Sequence, residues 1–482
     1  MLAVVHVLGS MLMMFSMTYV LPVVTSIIFR DGHLVDFLFA ATFCLGVGLV
    51  LWSATRRHKR ELRSRDGFLL VSLGWVLMSA IAAVPLLVAL PGLSFTDAFF
   101  ETMSGLSTTG ATVLVGIEHL PPSINLWRHA LNWYGGMGII VLVVAILPLL
   151  GVGGMQMYRA ETPGPMKNDK LTPRIAQTAK ALWFVYFLIT VACVLSLKLV
   201  GMRWFDAVCH AFAALALGGF STYDASIGYF DSPAIEAVLI VFMLIAAMNF
   251  GRHFIAWRQK SLRTYLQDVE ARAMLGILGV STLGIALFVW HQGVYPEFQT
   301  SLRHVAFNLV SIATDCGFVS QDYAAWPALA PMWILMLSCY CANTGSTGGG
   351  IKMFRTLVLV KQAGREFMLL VHPQAVQPVR VGGQVVQNQI VFAVLAFVVL
   401  YFGTVVALTF ALLAGGMDFI SAFSAIIACI NNAGPGLGVV GPAGNYQGLS
   451  DFQTWVCALA MLLGRLEIFS FLVLFTPVYW RK

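Results

Sequence analysis

Long apolar stretches alternate with short polar ones along the whole chain. Several run about 20 residues or more without a charge, enough to cross a hydrocarbon core of about 30 Å. Two such spans come first, at about 2–29 and 34–54. A pattern then recurs four times: a long span, a short apolar segment, a glycine-bearing loop and a second long span. The long spans fall at about 67–91 with 123–149, 174–200 with 232–255, 271–291 with 328–365, and 386–413 with 452–479.

The short segments carry the most information. They read "FTDAFFETMSGLSTTGATV" (95–113), "RWFDAVCHAFAALALGGFST" (203–222), "LRHVAFNLVSIATDCGFVS" (302–320) and "DFISAFSAIIACINNAGPGLG" (418–438). Each holds about a dozen mostly apolar residues, too few to span. Each leads to a glycine: Gly110, Gly219, Gly317 and Gly434. At the same distance before these stand Asp97, Asp206, His304 and Ser421, three of them good helix N-caps. Equal spacing in four places is the mark of duplication. Each unit reads as a re-entrant loop, a half-length helix entering the membrane and an extended glycine segment returning. Non-helical backbone is tolerated at that depth only around a water-filled path or inside protein. Four loops about one axis would gather backbone carbonyls that replace an ion's hydration shell. Glycine suits close backbone approach and φ > 0. A pore-facing helix C-terminus adds partial negative charge. Any one loop alone would pass as a surface loop; four in register argue against that.

Composition supports a membrane setting. Of 482 residues 59% are hydrophobic and 11% charged, against about 25% charged in soluble domains. Mean hydropathy is +0.82. Leu2–Phe29 lacks a basic leader and a small-residue cleavage site, so it reads as a retained span. The formal charge of +7 does not point to nucleic acid, because basic residues concentrate at 56–65, 159–180, 252–272, 352–380 and the C-terminus. These regions hold 23 of the 29 Lys and Arg, which assigns them to the cytoplasmic side. Asp31, Asp97, Glu101, Glu118, Asp206, Asp224, Asp231, Glu297, Asp315, Asp322, Asp418 and Asp451 fall in the intervening segments, so the opposite face is expected to be an acidic mouth that gathers cations. The eight cysteines are scattered without a C-x-x-C pair and read as small buried hydrophobes. No catalytic constellation of a membrane enzyme is present.

The stretch "NTGSTGGGIK" (343–352) has the G-x-x-x-x-G spacing of a phosphate loop, but Ile351 stands where the lysine belongs and Lys352 comes one residue late. A phosphate loop follows a β-strand, whereas apolar spans flank this one. Four glycines each cost roughly 0.5–1 kcal/mol in a helix, so the span should unwind over Thr344–Gly350 and form a flexible constriction. A packing kink is the simpler alternative. Arg465 falls near the middle of the last apolar span. A charge there costs about 2.5–3.5 kcal/mol on insertion scales, so it should face the pathway or a partner. Glu467, two residues on, lies on another helical face, which argues against a local pair.

"STTGATV", "LGGFST", "TDCGFVS", "NNAGPGLG", "GSTGGGIK" and "LLGRLEIF" resemble the Trk/Ktr/HKT potassium transporters, most closely the bacterial TrkH type, over essentially the whole chain. The resemblance implies an all-α polytopic membrane protein with four M1-P-M2 repeats (helix, pore helix with filter loop, helix) around a pseudo-fourfold pore. Two N-terminal helices occupy 1–55, and the repeats 66–150, 172–258, 270–366 and 384–482. It implies K⁺ as the transported ion, the bacterial inner membrane and a homodimer. It also implies a cytoplasmic TrkA-type ring that carries the nucleotide, with no organic cofactor in this chain. Carried over, the filter residues are Thr108, Thr109 and Gly110; Leu217, Gly218 and Gly219; Asp315, Cys316 and Gly317; Asn432, Ala433 and Gly434. Sodium-favouring relatives often have Ser at the first key position, so Gly110 argues for potassium. Asp315 departs from the small or hydroxyl residue of the pattern and is read as negative charge at the mouth, which leaves selectivity open. The gate would be Thr344, Gly345, Ser346, Thr347, Gly348, Gly349, Gly350 and Lys352, with Arg465 as an electrostatic barrier beneath the filter. The basic segments 159–180 and 352–366 would dock the ring or contact anionic lipid. A secondary transporter coupling K⁺ to H⁺ or Na⁺ is the alternative. It would need a titratable relay, for which Glu467, Asp36, Glu236 and His210 are the candidates.

Overall fold

A computed structural model describes residues 1–58, 62–141 and 171–481. The end of the expected 123–149 span and most of the basic linker 159–180 lie outside the described residues. Helices α1 (Leu2–Phe15), α2 (Val20–Phe29) and α3 (Leu34–Thr55) come first. Next follow α4 (Ser64–Ala82), α5 (Val84–Ala89), α6 (Phe95–Leu106) and α7 (Pro122–Val141). Beyond residue 170 come α8 (Leu171–Leu199), α9 (Trp204–Ala216), α10 (Pro233–Ala246), α11 (Phe250–Gln259) and α12 (Arg263–Leu266). The third stretch holds α13 (Val269–His291), α14 (Phe298–Ala313), α15 (Leu329–Ser338) and α16 (Met353–Val371). A small hairpin, β1 (Arg380–Val381) with β2 (Gln384–Val385), leads into α17 (Asn388–Ala414), α18 (Phe419–Asn431), α19 (Asp451–Arg465), α20 (Phe469–Leu472) and α21 (Pro477–Trp480). The fold is the expected all-α membrane architecture. Among the described residues six helical stretches are long and apolar enough to cross a membrane, or eight if two bent pairs count as spans.

Burial runs in the sense a bilayer demands. Helix α17 is apolar all round: Val394, Tyr401 and Leu412 are buried, while Phe392, Val399 and Phe410 lie exposed on its other face. A helix hydrophobic on every side needs an apolar solvent outside. The short helices α6, α9, α14 and α18 form the interior. Their small residues, such as Ala98, Ala211, Ala313 and Ala425, are fully buried and let neighbouring backbones close in.

Two sequence expectations change. The short helices start about one turn before the residues taken as their caps. Ser94 caps α6 and accepts from the Asp97 N–H at 3.0 Å, and Asp418 caps α18 and accepts from the Ser421 N–H at 3.0 Å. Asp206 lies in the first turn of α9, paired with Arg203 at 2.9 Å, and His304 lies well inside α14. An acid in the first turn meets the positive helix end much as a cap does, so the two positions look alike in sequence.

The second change concerns continuity. The expected 232–255 span is two helices bent by 96° between Ala246 and Phe250, and the 452–479 span is bent by 106° after Arg465. Asn249 starts α11 anew, its side chain accepting from the Gly251 N–H at 2.8 Å. Glu467 and Ile468 have φ of 54° and 35°, outside any right-handed helix. Arg465 is therefore the last residue of α19 and not the middle of a span. Residues 339–352, between α15 and α16, are non-helical, so unwinding begins at Cys339 rather than Thr344.

Candidate ion pathway

The four short helices end in the same way. At each C-terminus one residue takes the left-handed conformation: Thr108 (φ 56°), Leu217 (52°), Asp315 (65°) and Asn432 (58°). The next amide reaches back to close the turn: Thr109 N–H to Ser104, Gly218 to Ala213, Cys316 to Ser311 and Ala433 to Ala428, each at 2.8 Å. This is a Schellman-type closure, which satisfies carbonyls the helix leaves free. One residue further the key glycine follows, with φ of 80° at Gly110, 62° at Gly219, 89° at Gly317 and 83° at Gly434.

These segments meet in a closed ring. A Cβ built on Gly110 would strike the Gly218 carbonyl oxygen, one on Gly219 the Cys316 oxygen, and one on Gly317 the Ala433 oxygen. One on Gly434 would meet the Thr109 oxygen at 2.6 Å, returning to the first segment. Each glycine is thus required twice, by its φ and by its neighbour's backbone. All four line one small cavity of about 80 Å³, shared with Thr112, Arg128, Asp224 and Tyr446. The twelve residues named from the sequence as filter positions are brought together here, and all but Gly110 and Gly219 among them are buried.

What holds the ring was not foreseen. Glu101 of α6 and Arg128 of α7 form a buried pair at 2.7 Å, with side chains 0% and 1% exposed. Glu101 also accepts from the Val113 N–H at 3.1 Å and the Thr112 hydroxyl at 3.0 Å. Arg128 donates toward the Ser221 carbonyl at 3.4 Å and stacks 4.3 Å from the Phe220 ring. The pair therefore joins the chain after Gly110 to the chain after Gly219. Tyr446 joins the fourth segment to the first: its hydroxyl donates to Gly434 at 2.8 Å and its N–H to Thr112 at 2.9 Å. Ser226 accepts from the Val319 N–H at 3.2 Å, linking second and third. Asn132 donates to the Gly218 carbonyl at 2.9 Å.

The acidic mouth needs correction on two counts. Glu101 is a buried brace. Asp315 does not face outward either: its carboxylate accepts from the Gly349 N–H at 3.0 Å, behind the ring and against the glycine loop. Among the twelve acids, Asp224 is the one that lines the cavity at the ring, and it is held by the Gly116 and Ile117 N–H groups at 2.7 and 3.0 Å. The partner of Asp315 lies 34 residues away in the chain, which the sequence pattern alone does not show.

The glycine loop lies directly beneath the ring. A Cβ on Gly348 would come within 3.1 Å of the Thr314 oxygen, and one on Gly349 would strike the Asn431 oxygen, so the loop touches the ends of α14 and α18. Its backbone is held from several sides. Glu270 accepts from the Thr344 N–H at 2.9 Å, and Asn249 donates to the Thr344 carbonyl at 2.7 Å. The Thr347 hydroxyl donates to Leu215 at 3.1 Å, and the Lys352 ammonium bonds the Gly348 carbonyl. Arg465 is 3% exposed and donates to the Thr347 carbonyl and to the Gly135 carbonyl of α7, both at 2.9 Å. Thus Thr344, Gly345, Ser346, Thr347, Gly348, Gly349, Gly350, Lys352 and Arg465 form one assembly. Glu467 does have a close partner, Arg355 of α16 at 2.7 Å, because it lies past the helix end. Glu270 and Asn249 gave no sequence signal beyond their polarity near apolar spans.

The chain matches the model of a cation transport protein family, TrkH, over residues 33–482. It is 45% identical over 481 residues to the Trk system potassium uptake protein TrkH of Salmonella typhimurium, covering 100% of this chain and 99% of that one. It is 40% identical over 485 residues to the Trk system potassium uptake protein TrkG of Escherichia coli, covering 99% and 98%. The crystal structure of the potassium transporter TrkH from Vibrio parahaemolyticus superimposes with a TM-score of 0.92 at 43% identity, covering 100% and 99% of the two chains. The family is one of transport proteins rather than enzymes, and this chain belongs to it: it is a multi-pass membrane protein of the TrkH family.

Proposed function

We propose that the chain takes up K⁺ across the bacterial inner membrane, with the ring of four glycines as its selectivity filter. The observation that carries this reading is the ring itself: four equivalent backbone segments in cyclic contact, each with a glycine that its neighbour's carbonyl leaves no room to replace. Carbonyls at such a site replace the hydration shell of an ion. Membrane potential supplies the drive, about 2.3 kcal/mol per 100 mV for each inward charge. The four units around the ring are read as M1-P-M2 repeats of one subunit. The loop 343–352 is the gate, closed beneath the filter, and Arg465 tethers it and repels cations from below. Relatives named as parts of a Trk system support the presence of partner proteins, and the reading takes these as a cytoplasmic, nucleotide-binding partner of the TrkA type acting on a homodimer. Coupled transport finds less support. Glu467 is paired with Arg355, Glu236 with Arg303 and Asp36 with His33, and His210 bonds the Ser221 hydroxyl and the Asp206 carbonyl.

Rubidium-tracer uptake into proteoliposomes under an inside-negative potential tests the reading. Unlabelled K⁺ should suppress uptake at far lower concentration than Na⁺, and a pH gradient at fixed voltage should leave the rate unchanged. Equal competition by Na⁺ would remove the filter assignment. A rate that follows the pH gradient would restore the coupled transporter.

A further inference from the structure

The bend between α10 and α11 has two sides. On its inner side it clasps the glycine loop. Asn249 bonds the Thr344 carbonyl at 2.7 Å, the Phe250 N–H donates to Gly345 at 3.0 Å, and the Asn343 N–H donates to Ala247 at 3.1 Å. On its outer side, α8, the end of α10, and α11 line an open apolar cavity of about 720 Å³. That size falls in the range of about 300–1,000 Å³ typical of small-molecule sites. Its rim includes Leu188, Trp257 and Leu262, which are 40%, 50% and 78% exposed on the outside of the molecule.

Two observations name the occupant. Lys260 lines the cavity at the end of α11, with Arg258 and Arg263 beside it in the chain. No described carboxylate pairs with any of the three. Helix α11 turns 96° away from α10, and exposed Trp257, Leu262 and Leu266 interleave with these cations. Apolar side chains beside unpaired cations on a segment lying across a span mark contact with an anionic membrane surface. The basic run 252–272 places this surface on the cytoplasmic side.

The cavity also touches what holds the bend. His253 lines it and donates from Nε2 at 2.9 Å to the Ile245 carbonyl at the end of α10, which also accepts from the Met248 N–H at 3.1 Å. Tyr265, also lining the cavity, donates to His253 Nδ1 at 2.8 Å. We infer that this cavity binds an anionic phospholipid of the cytoplasmic leaflet, one acyl chain inside and the headgroup at Lys260. Its occupancy braces the α10–α11 bend and so holds the glycine loop in place, lowering cation flux. The binding half stands without the transport reading; the coupling half rests on it.

Native mass spectrometry of the full-length protein, titrated with phosphatidylglycerol or phosphatidylcholine, tests the binding half. Phosphatidylglycerol should be retained preferentially. Lys260→Gln should weaken its retention about fivefold, the change expected for one basic group at an anionic surface. Ile189→Trp, which adds bulk where the acyl chain would lie, should reduce retention of one lipid per chain strongly, and the milder Ile189→Phe should reduce it less. Equal retention of both lipids, or retention unchanged in all variants, overturns the site. Rubidium flux then tests the coupling half: wild type should run slower in vesicles containing phosphatidylglycerol than in phosphatidylcholine alone, and Ile189→Trp should lose the difference. Preferential retention with identical flux in both vesicles overturns the coupling and leaves the binding site standing.

Discussion

The ring of glycines and the loop beneath it are neighbours built on opposite plans. The ring uses one device four times: a short helix, a left-handed closure and a glycine against the next backbone. The loop comes from one stretch of chain and is held by non-equivalent groups, Asn249, Glu270, Asp315 and Arg465, each from a different part of the sequence. Repetition gives the ring a rigid shape that no single side chain determines. Asymmetry gives the loop a few separable ties, each weak enough to be released. A selective but gated pathway needs both.

The comparison can be broken from either side, and the largest effect falls on the ring. Glu101→Ala leaves Arg128 buried without its partner, and loss of one member of a buried pair costs about 3–5 kcal/mol. The expected outcome is a large drop in the thermal midpoint of the purified protein, read by size-exclusion chromatography after heating, with Glu101→Gln intermediate. The next effect falls on the loop. Arg465→Ala removes two charge-assisted bonds, each worth roughly 1.5–3 kcal/mol. Basal rubidium flux should rise by about tenfold or more, since about 1.4 kcal/mol is tenfold in an equilibrium. Asn249→Ala removes one neutral bond of about 1 kcal/mol and should raise basal flux only severalfold.

The smallest effect is at a helix start. Asp418 caps α18, and bonds from the Ser421 N–H and hydroxyl hold its carboxyl below the ordinary aspartate range. A lowered folded value means the contribution is present at neutral pH and is lost as pH falls through that value. Asp418→Ala should cost toward the low end of about 0.5–2 kcal/mol, because the group is exposed and screened. The difference from wild type should shrink on acidification below pH ~4, where the ordinary aspartate also titrates. A difference that grows instead would remove the cap from the account.

The same contrast explains what the sequence could reveal. The four short helices and their glycines were legible because the pattern repeats and the glycine is backbone-dictated. The ties of the loop were not, because each joins residues far apart in the chain, as Arg465 does with Gly135 and Thr347. The breaks at 247–249 and 466–468 were missed for a related reason. Neither break has a proline within it, and distant residues hold both: the first bonds residues 343–345, and Glu467 in the second accepts from Arg355. Hydropathy placed Glu101 and Asp315 on an outer face, whereas tertiary structure buried one against Arg128 and turned the other toward Gly349.

The most direct test of the central claim is the reversal potential of the purified protein in a planar bilayer, with K⁺ on one side and Na⁺ on the other. The account predicts a wild-type value near the K⁺ equilibrium potential and a shift toward zero in Gly110→Ser, whose new side chain meets the Gly218 carbonyl and crowds the ring. A wild-type value near zero, or a Gly110→Ser value equal to wild type, would contradict it.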